Sequence, residues 1–337
     1  MRFVLPLLAA LSFAAPSIAR SHFQSHKKHI HLFDTTLSLV EARLAETATD
    51  TWVSGTRAEA LLELYYPSLS VFSPSYDSAT GDVSKVETIV EYWEEKRLNG
   101  SKELAHVDGG AAGDPPSLGV AWLVAAENSD PETKDRRWEE ATQQLEYLLQ
   151  EVPRTQDGAI SHRPAEEKVQ LWNDFVYMVP PFLAYYGVRS HNVSLVKEAY
   201  EQCRLYRQYL KPEGEGAWRH VMLGDWQDAG LWATGNAWAA AGMTRVLATM
   251  QNSQYASQLS NEVADLKSWT REILVSSFAT LQPDAFTLNY FDNSTSFTDS
   301  ASLYLLLRLI DSPFSNPTLT IKLSSSQPQR LVMQSTR

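Results

Sequence analysis

The chain reads as an all-α protein folded as an (α/α)6 toroid, a ring of helical hairpins. Three observations lead there: a pattern that repeats about every 60 residues, an apolar helix paired with an amphipathic one in each repeat, and very few stretches that alternate like strands. The first marker is the row Ser54, Asp114, Asp174 and Thr234, each 60 residues after the last, with Asp299 another 65 residues on. Each opens a run of small and apolar residues, predicting inner helices over 58–65, 117–126, 175–186, 237–250 and 301–310. These runs are apolar nearly all round, so they should be buried. A second marker precedes them. Asp157-Gly158-Ala159-Ile160-Ser161-His162 matches Glu215-Gly216-Ala217-Trp218-Arg219-His220, and residues 284–289 are a looser copy ending in Asn289. Outer helices are expected over 134–150, 194–210 and 258–280. Apolar residues there recur at helical spacing, as in Leu195, Ala199, Cys203, Tyr206 and Leu210. An open solenoid would repeat every ~33–47 residues, so the longer period favours a ring.

Composition narrows the class. The 337 residues are 44% hydrophobic and carry a net charge of −11. This is globular composition, and an acidic chain without a basic block is a poor nucleic-acid binder. A lone cysteine, Cys203, excludes an intrachain disulfide, and no His/Cys/Glu spacing suggests a metal site, so no metal or cofactor is expected. Arg2, the apolar run from Phe3 to Ala15 and the small residues Ser17 and Ala19 form a signal-peptide pattern over 1–19, too short to span a membrane. The expectation is a secreted monomer with its toroid over 20–311, and sequons at Asn99, Asn192 and Asn293 suit an extracellular protein. A sixth inner-helix opening would fall at about position 360. The stretch 312–337, rich in Ser, Pro, Gln and Thr, is therefore expected to be an irregular tail, with most of the last hairpin missing and apolar flanks exposed.

A ring of hairpins gathers equivalent residues at one mouth. Ser54, Asp114, Asp174, Thr234 and Asp299 should meet there, with His162, His220 and Asn289 on the turns beside them. For Ser54 and Thr234, an N-cap role explains the pattern as well as a ligand role does. Asp174 is different, being flanked by Trp172, Phe175, Tyr177 and Met178. A carboxylate in such surroundings loses hydration, and its pKa rises towards that of a useful general acid. Asp114 is the second carboxylate. His220, and His162 with Arg163, read either as ligand contacts or as structural residues. Trp172, Trp218, Trp232 and Trp238 lie on the same turns, where they form either a sugar-stacking platform or core. An oligosaccharide is thus the expected partner, with neither nucleic acid nor membrane. Neither a nucleophile-elbow serine motif nor a phosphate-binding loop occurs.

The stretch Gln170-Leu171-Trp172-Asn173-Asp174-Phe175-Val176-Tyr177-Met178-Val179-Pro180-Pro181 resembles the signature of glycoside hydrolase family 105, the unsaturated rhamnogalacturonyl hydrolases, six-hairpin glycosidases. Pro153-Arg154-Thr155, His162-Arg163, Trp218-Arg219-His220, Trp232-Ala233-Thr234-Gly235-Asn236-Ala237-Trp238 and Ser296-Phe297-Thr298-Asp299 add to it, so the likeness runs from Asp114 to Ile310. It implies removal of a 4,5-unsaturated uronic acid from lyase-cut pectin fragments by hydration of the vinyl ether. On that resemblance Asp174 protonates C4 and then helps water add at C5, and Asp114 assists. His220 is the active-site histidine, and Trp232 and Trp238 stack on sugar. Thr234 stands where many members carry arginine, which pairs with a carboxylate as threonine cannot; Arg163 or Arg219 would have to replace it. Two other classes compete: a ring that binds oligosaccharide without cleaving it, and an (α/α) polysaccharide lyase or inverting glycosidase acting on intact chains.

Overall fold

The computed structural model describes residues 35–98, 100–105, 110–164, 167–282, 286–302, 306, 320–322 and 332–334. The signal-like segment, His26–His31, Asn99, Asp284 and most of the stretch after 306 lie outside them. The chain divides into two units, Met1–Thr49 and Asp50–Arg337. In the first, helix α1 spans 35–47.

The second unit is built of hairpins. Helix α2 (Thr51–Tyr65) pairs with α3 (Ser84–Lys96). A 3-10 turn (Pro115–Leu118) runs into α4 (Gly119–Glu127), which packs on α5 (Pro131–Gln150). Helices α6 (Phe175–Met178) and α7 (Pro180–Arg189) pack with α8 (Val193–Leu210), and α9 (Ala233–Gln251) packs with α10 (Ser260–Ala279). The first member of each hairpin is the inner one. In α4 every residue from Gly119 to Ala126 is buried, as is Pro180–Val188 of α7. The outer helices bury one stripe, which in α8 includes Ala199, Cys203, Tyr206 and Leu210. Mostly helical, with a few very short strands, the unit is the expected helical toroid. Four hairpins are complete among the described residues, and Ala301, Ser302 and Leu306 are helical where a fifth inner helix was expected.

Two of the outer helices, α5 and α8, start on side-chain caps. Asp130 accepts from the N–H groups of Glu132 and Thr133 at 3.1 and 3.2 Å, and Pro131 opens α5, a normal N-cap. Asn192 caps α8 likewise, accepting from Ser194 N–H. The inner helices have no such side-chain cap. Helix α2 begins seven residues earlier than the apolar run suggests, which puts Ser54 inside it. Pro180 divides the expected 175–186 helix, because proline has no N–H to continue α6. Helix α3 was not anticipated, although Val86, Ile89, Val90 and Trp93 form its buried stripe at helical spacing.

Glycines let the inner helices touch. A Cβ on Gly242 would lie 2.1 Å from the Val176 carbonyl oxygen, and one on Gly55 2.5 Å from that of Ser117. Nothing larger fits without moving a backbone.

At one end, short antiparallel pairings stitch the turns together: β1 (Gln170–Trp172) with β2 (Val221–Leu223), and β3 (Thr287–Leu288) with β4 (Thr298–Asp299). Here the two sequence markers meet. Gly113 N–H donates to His162 C=O at 3.3 Å, Asn173 N–H to His220 C=O at 3.0 Å, and Ala233 N–H to Asn289 C=O at 2.8 Å. The same bond recurs three times, each from the residue just before Asp114, Asp174 or Thr234. The marker residues are held on their other side too, with His162 N–H on Gln170, His220 N–H on Gly230 and Asn289 N–H on Phe297. The 60-residue period is the period of this stitch. One expectation changes: within 312–337, β5 (Thr320–Lys322) pairs antiparallel with β6 (Val332–Gln334), consistent with the β-branched Thr320, Ile321 and Val332.

Candidate active site

The stitch brings Asp114 and Asp174 to the starts of neighbouring inner helices. Asp174 stands in the N-cap position of α6 with helical backbone angles (φ −71°, ψ −23°), and its side chain makes no cap hydrogen bond. Its Oδ1 is sealed from solvent and has no hydrogen-bond partner. Burial, and secondly the charge of Asp114, pushes its pKa up to about 7. Burial raises Asp114 to about 6, against a hydrogen bond from Ala111 N–H to Oδ2 at 3.3 Å. Two carboxyls that each disfavour the other's charge share protons near neutrality, which suits one of them to act as an acid.

A cluster of aromatic rings adjoins Asp174 in the chain and in the stitch. Trp172 lies over His162 with centroids 4.9 Å apart and planes 29° apart, and it meets His220 edge-on at 5.5 Å. His220 packs on Trp232 at 4.4 Å. His162 is buried, and burial lowers its pKa to about 3, so it is neutral at physiological pH. It underlies Trp172 rather than facing solvent. Its Nδ1 has no partner, and neither does either side-chain amide atom of the fully buried Asn173. Unpaired buried polar atoms are costly, and three residues carry them beside one another here: His162, Asn173 and Asp174.

His220 is held by residues that the sequence did not single out. Its Nδ1 lies 2.9 Å from Asp228 Oδ2, which also accepts from the Tyr290 hydroxyl at 2.6 Å. Gly230 N–H donates to the other oxygen, Oδ1, at 3.0 Å. Burial pushes the Asp228 carboxyl up, but Tyr290 and His220 outweigh it and hold it below the ordinary value. Burial likewise lowers His220, with Asp228 opposing. A neutral His220 bonded to this carboxylate carries its proton on Nδ1 and leaves Nε2 as an acceptor. Asp228 lies eight residues beyond its histidine in an unrepeated loop, so no periodicity exposed it. Tyr290 does follow the marker residue Asn289.

Other expected residues are placed differently. Thr234 is the second residue of α9 rather than its cap, and its hydroxyl donates to Asp299 Oδ2 at 2.6 Å. Asp299 is buried and also accepts from Ala301 N–H at 2.8 Å. Arg163 is engaged with Glu167 through two nitrogens, at 2.9 and 2.7 Å, while its charge also acts on Asp114. Trp218 cannot be part of a platform: it is fully buried, with its backbone N–H donated to Asn236 Oδ1 of α9 at 2.7 Å and its indole N–H sealed from solvent without a partner. Trp238 is half-buried with its ring 4.6 Å from Tyr177. Asn192 and Asn293 are exposed. Among the described residues no group of three or more His, Cys, Asp or Glu is arranged to hold a metal, and no helix is long and apolar enough to cross a membrane.

Residues 126–269 match the family model described as Glycosyl Hydrolase Family 88. A search of curated proteins finds no match. Solved structures share the fold. A family 105 glycoside hydrolase from C. acetobutylicum ATCC 824 aligns at TM-score 0.59 and 13% identity, over 80% of this chain and 75% of its own. A possible family 105 member from Klebsiella pneumoniae subsp. pneumoniae MGH 78578 aligns at 0.58 and 17%, over 92% and 80%. The unsaturated glucuronyl hydrolase from Bacillus sp. GL1 aligns at 0.51 and 16%, over 78% and 66%. The chain thus shares the helical-toroid fold of these glycosidases, and its middle, residues 126–269, matches the family 88 model.

Proposed function

We propose that the chain hydrolyses oligosaccharides that end in a 4,5-unsaturated uronic acid, with lyase-cut rhamnogalacturonan as the substrate. The observation that carries this is Asp174: a carboxyl with one sealed, unpartnered oxygen, raised to about 7 and set among aromatic rings. In its neutral form it donates its proton to C4. The electrons of the C4=C5 bond take that proton, and the positive charge at C5 is shared with the ring oxygen. Water adds at C5 and loses a proton to the Asp174 carboxylate, which restores the acid. The resulting hemiketal opens and releases the remaining sugar. Asp114 keeps the Asp174 proton in place by its charge, and His220, held by Asp228, offers Nε2 to the sugar. Trp172 and Trp232 supply flat apolar faces. Arg163 is the cation beside Asp114, and it could turn from Glu167 to a uronate carboxylate. On this reading the leader-like segment 1–19 directs the enzyme to where lyases release such fragments.

The test is loss of the ultraviolet absorbance of the conjugated double bond when the protein meets lyase-digested rhamnogalacturonan. Turnover by the wild type and a loss of at least ~100-fold in Asp174→Asn are expected for a general acid. Full activity in that variant would remove Asp174 from the chemistry. Binding without turnover would mark a sugar-binding ring, and new double bonds formed on intact pectin would mark a lyase.

A further inference from the structure

Beyond Trp172 the aromatic row ends in a residue that the reaction above does not use. Trp226 is 52% exposed, unlike the tryptophans that fill the core. A single exposed apolar residue is unremarkable by itself, but this one is held in place. Its ring meets Trp172 edge-on, with centroids 5.3 Å apart and planes 75° apart. Gln170 ties the two together: its Oε1 accepts from Trp172 Nε1 at 2.8 Å, and its Nε2 donates to the Trp226 carbonyl at 2.7 Å. The loop that carries Trp226 is closed at its base by the bridge between Val221 and Asp228, the carboxylate that holds His220. Its entry is strained. Leu223 has φ +68°, a left-handed conformation uncommon for a residue with a Cβ, and Gly224 follows at φ +73°. A Cβ on Gly224 would come within 2.8 Å of Gln170 Nε2, so the loop closes over this amide only with glycine there.

We infer that Trp226 is the second wall of the substrate site, receiving the pyranose next to the unsaturated unit. This rests on the function proposed above. Two indole planes at 75° make a corner. A sugar bound near Asp174 is covered by Trp172 and Trp232, and the ring attached through its glycosidic oxygen turns out of that plane onto Trp226. Indole offers an apolar face to the C–H side of a pyranose, so the sugar that fits is one with an unsubstituted C–H face towards the loop. Gln170 sets the angle of the corner and is a positioning residue.

Two substrates with the same unsaturated uronate separate this role from general damage: a lyase-generated disaccharide, and a methyl glycoside with no second ring. In Trp226→Ala, kcat/KM on the disaccharide should fall about tenfold, mainly through KM, and stay within about twofold on the methyl glycoside. Trp226→Phe should keep most of the disaccharide activity. An equal loss on both substrates, or no loss on the disaccharide, overturns the inference. Calorimetry with lyase-generated oligosaccharides on the inactive Asp174→Asn background makes the result independent of turnover. Weaker binding after adding Trp226→Ala supports the second wall, and unchanged binding overturns it alone. No oligosaccharide binding by the Asp174→Asn parent would overturn the functional reading itself.

Discussion

Asp174 shows how one side chain links the local backbone to both chemistry and stability. It occupies a helix-start position yet makes no cap bond, because the short α6 begins where the stitch from Asn173 to His220 fixes the chain. Folded, its carboxyl holds a proton up to about pH 7, against an ordinary value of 3.8. Between those two values the folded state binds more protons than the unfolded state, so stability falls as pH rises. The favourable contribution is complete below 3.8 and gone above about 7. Asp174→Asn removes the charge and should raise the melting temperature by a few degrees at about pH 8, the gain shrinking to nothing near pH 4. Scanning calorimetry across that range checks it, and a gain independent of pH would contradict the assignment. In the proposed reaction the acid form is the active one, so kcat/KM should decline as pH passes about 7. Asp174 was legible in the sequence from its aromatic flanks. Asp228 was not, because a hydrogen-bond partner across a loop leaves no periodic trace.

At the scale of elements, the small residues of the inner helices explain why the ring can be tight. Gly242 of α9 lies against the Val176 carbonyl of α6, and Gly55 of α2 against Ser117 of the 3-10 turn. The backbones approach as closely as they do because no Cβ intervenes. Gly242→Ala must therefore push α9 away from α6, beside Asp174, at a cost of about 1–3 kcal/mol. Gly81→Ala, in open space, should be close to neutral. Urea unfolding of the two variants makes the comparison, and equal stability would show that the helices can shift freely. The amphipathic outer helices α5 and α8 were readable from the helical spacing of their apolar residues. The starts of the inner helices were less so, because they are set by tertiary hydrogen bonds instead of caps. Helix α3 has the spacing but lies outside the repeated markers.

For the molecule as a whole, the inner helices are bound across the ring by charge as well as by apolar packing. Arg245 of α9 is buried and pairs with Glu59 and Glu63 of α2, far apart in the chain, and its guanidinium lies 5.3 Å from the Tyr177 ring centroid. Burial raises the Glu59 carboxyl although Arg245 opposes it. Removing one partner of such a pair leaves a bare buried charge, so Arg245→Met should cost about 3–5 kcal/mol. Adding Glu59→Leu should recover a good part of that loss, because a buried pair offsets little more than its own desolvation. Chemical denaturation of the single and double variants tests this, and a double variant no better than the single one would refute it. The sequence by itself determined the helical ring, its 60-residue beat, and which carboxylates stand at the starts of its inner helices. Those follow from periodicity, which repeated backbone hydrogen bonds impose on the chain. Only the tertiary structure decided that Trp218 is core while Trp226 is exposed, and that Asp228 and Tyr290 hold His220. These depend on loops that occur once and on which face of a ring is left uncovered. Neither property repeats along the chain, so neither could be read from it.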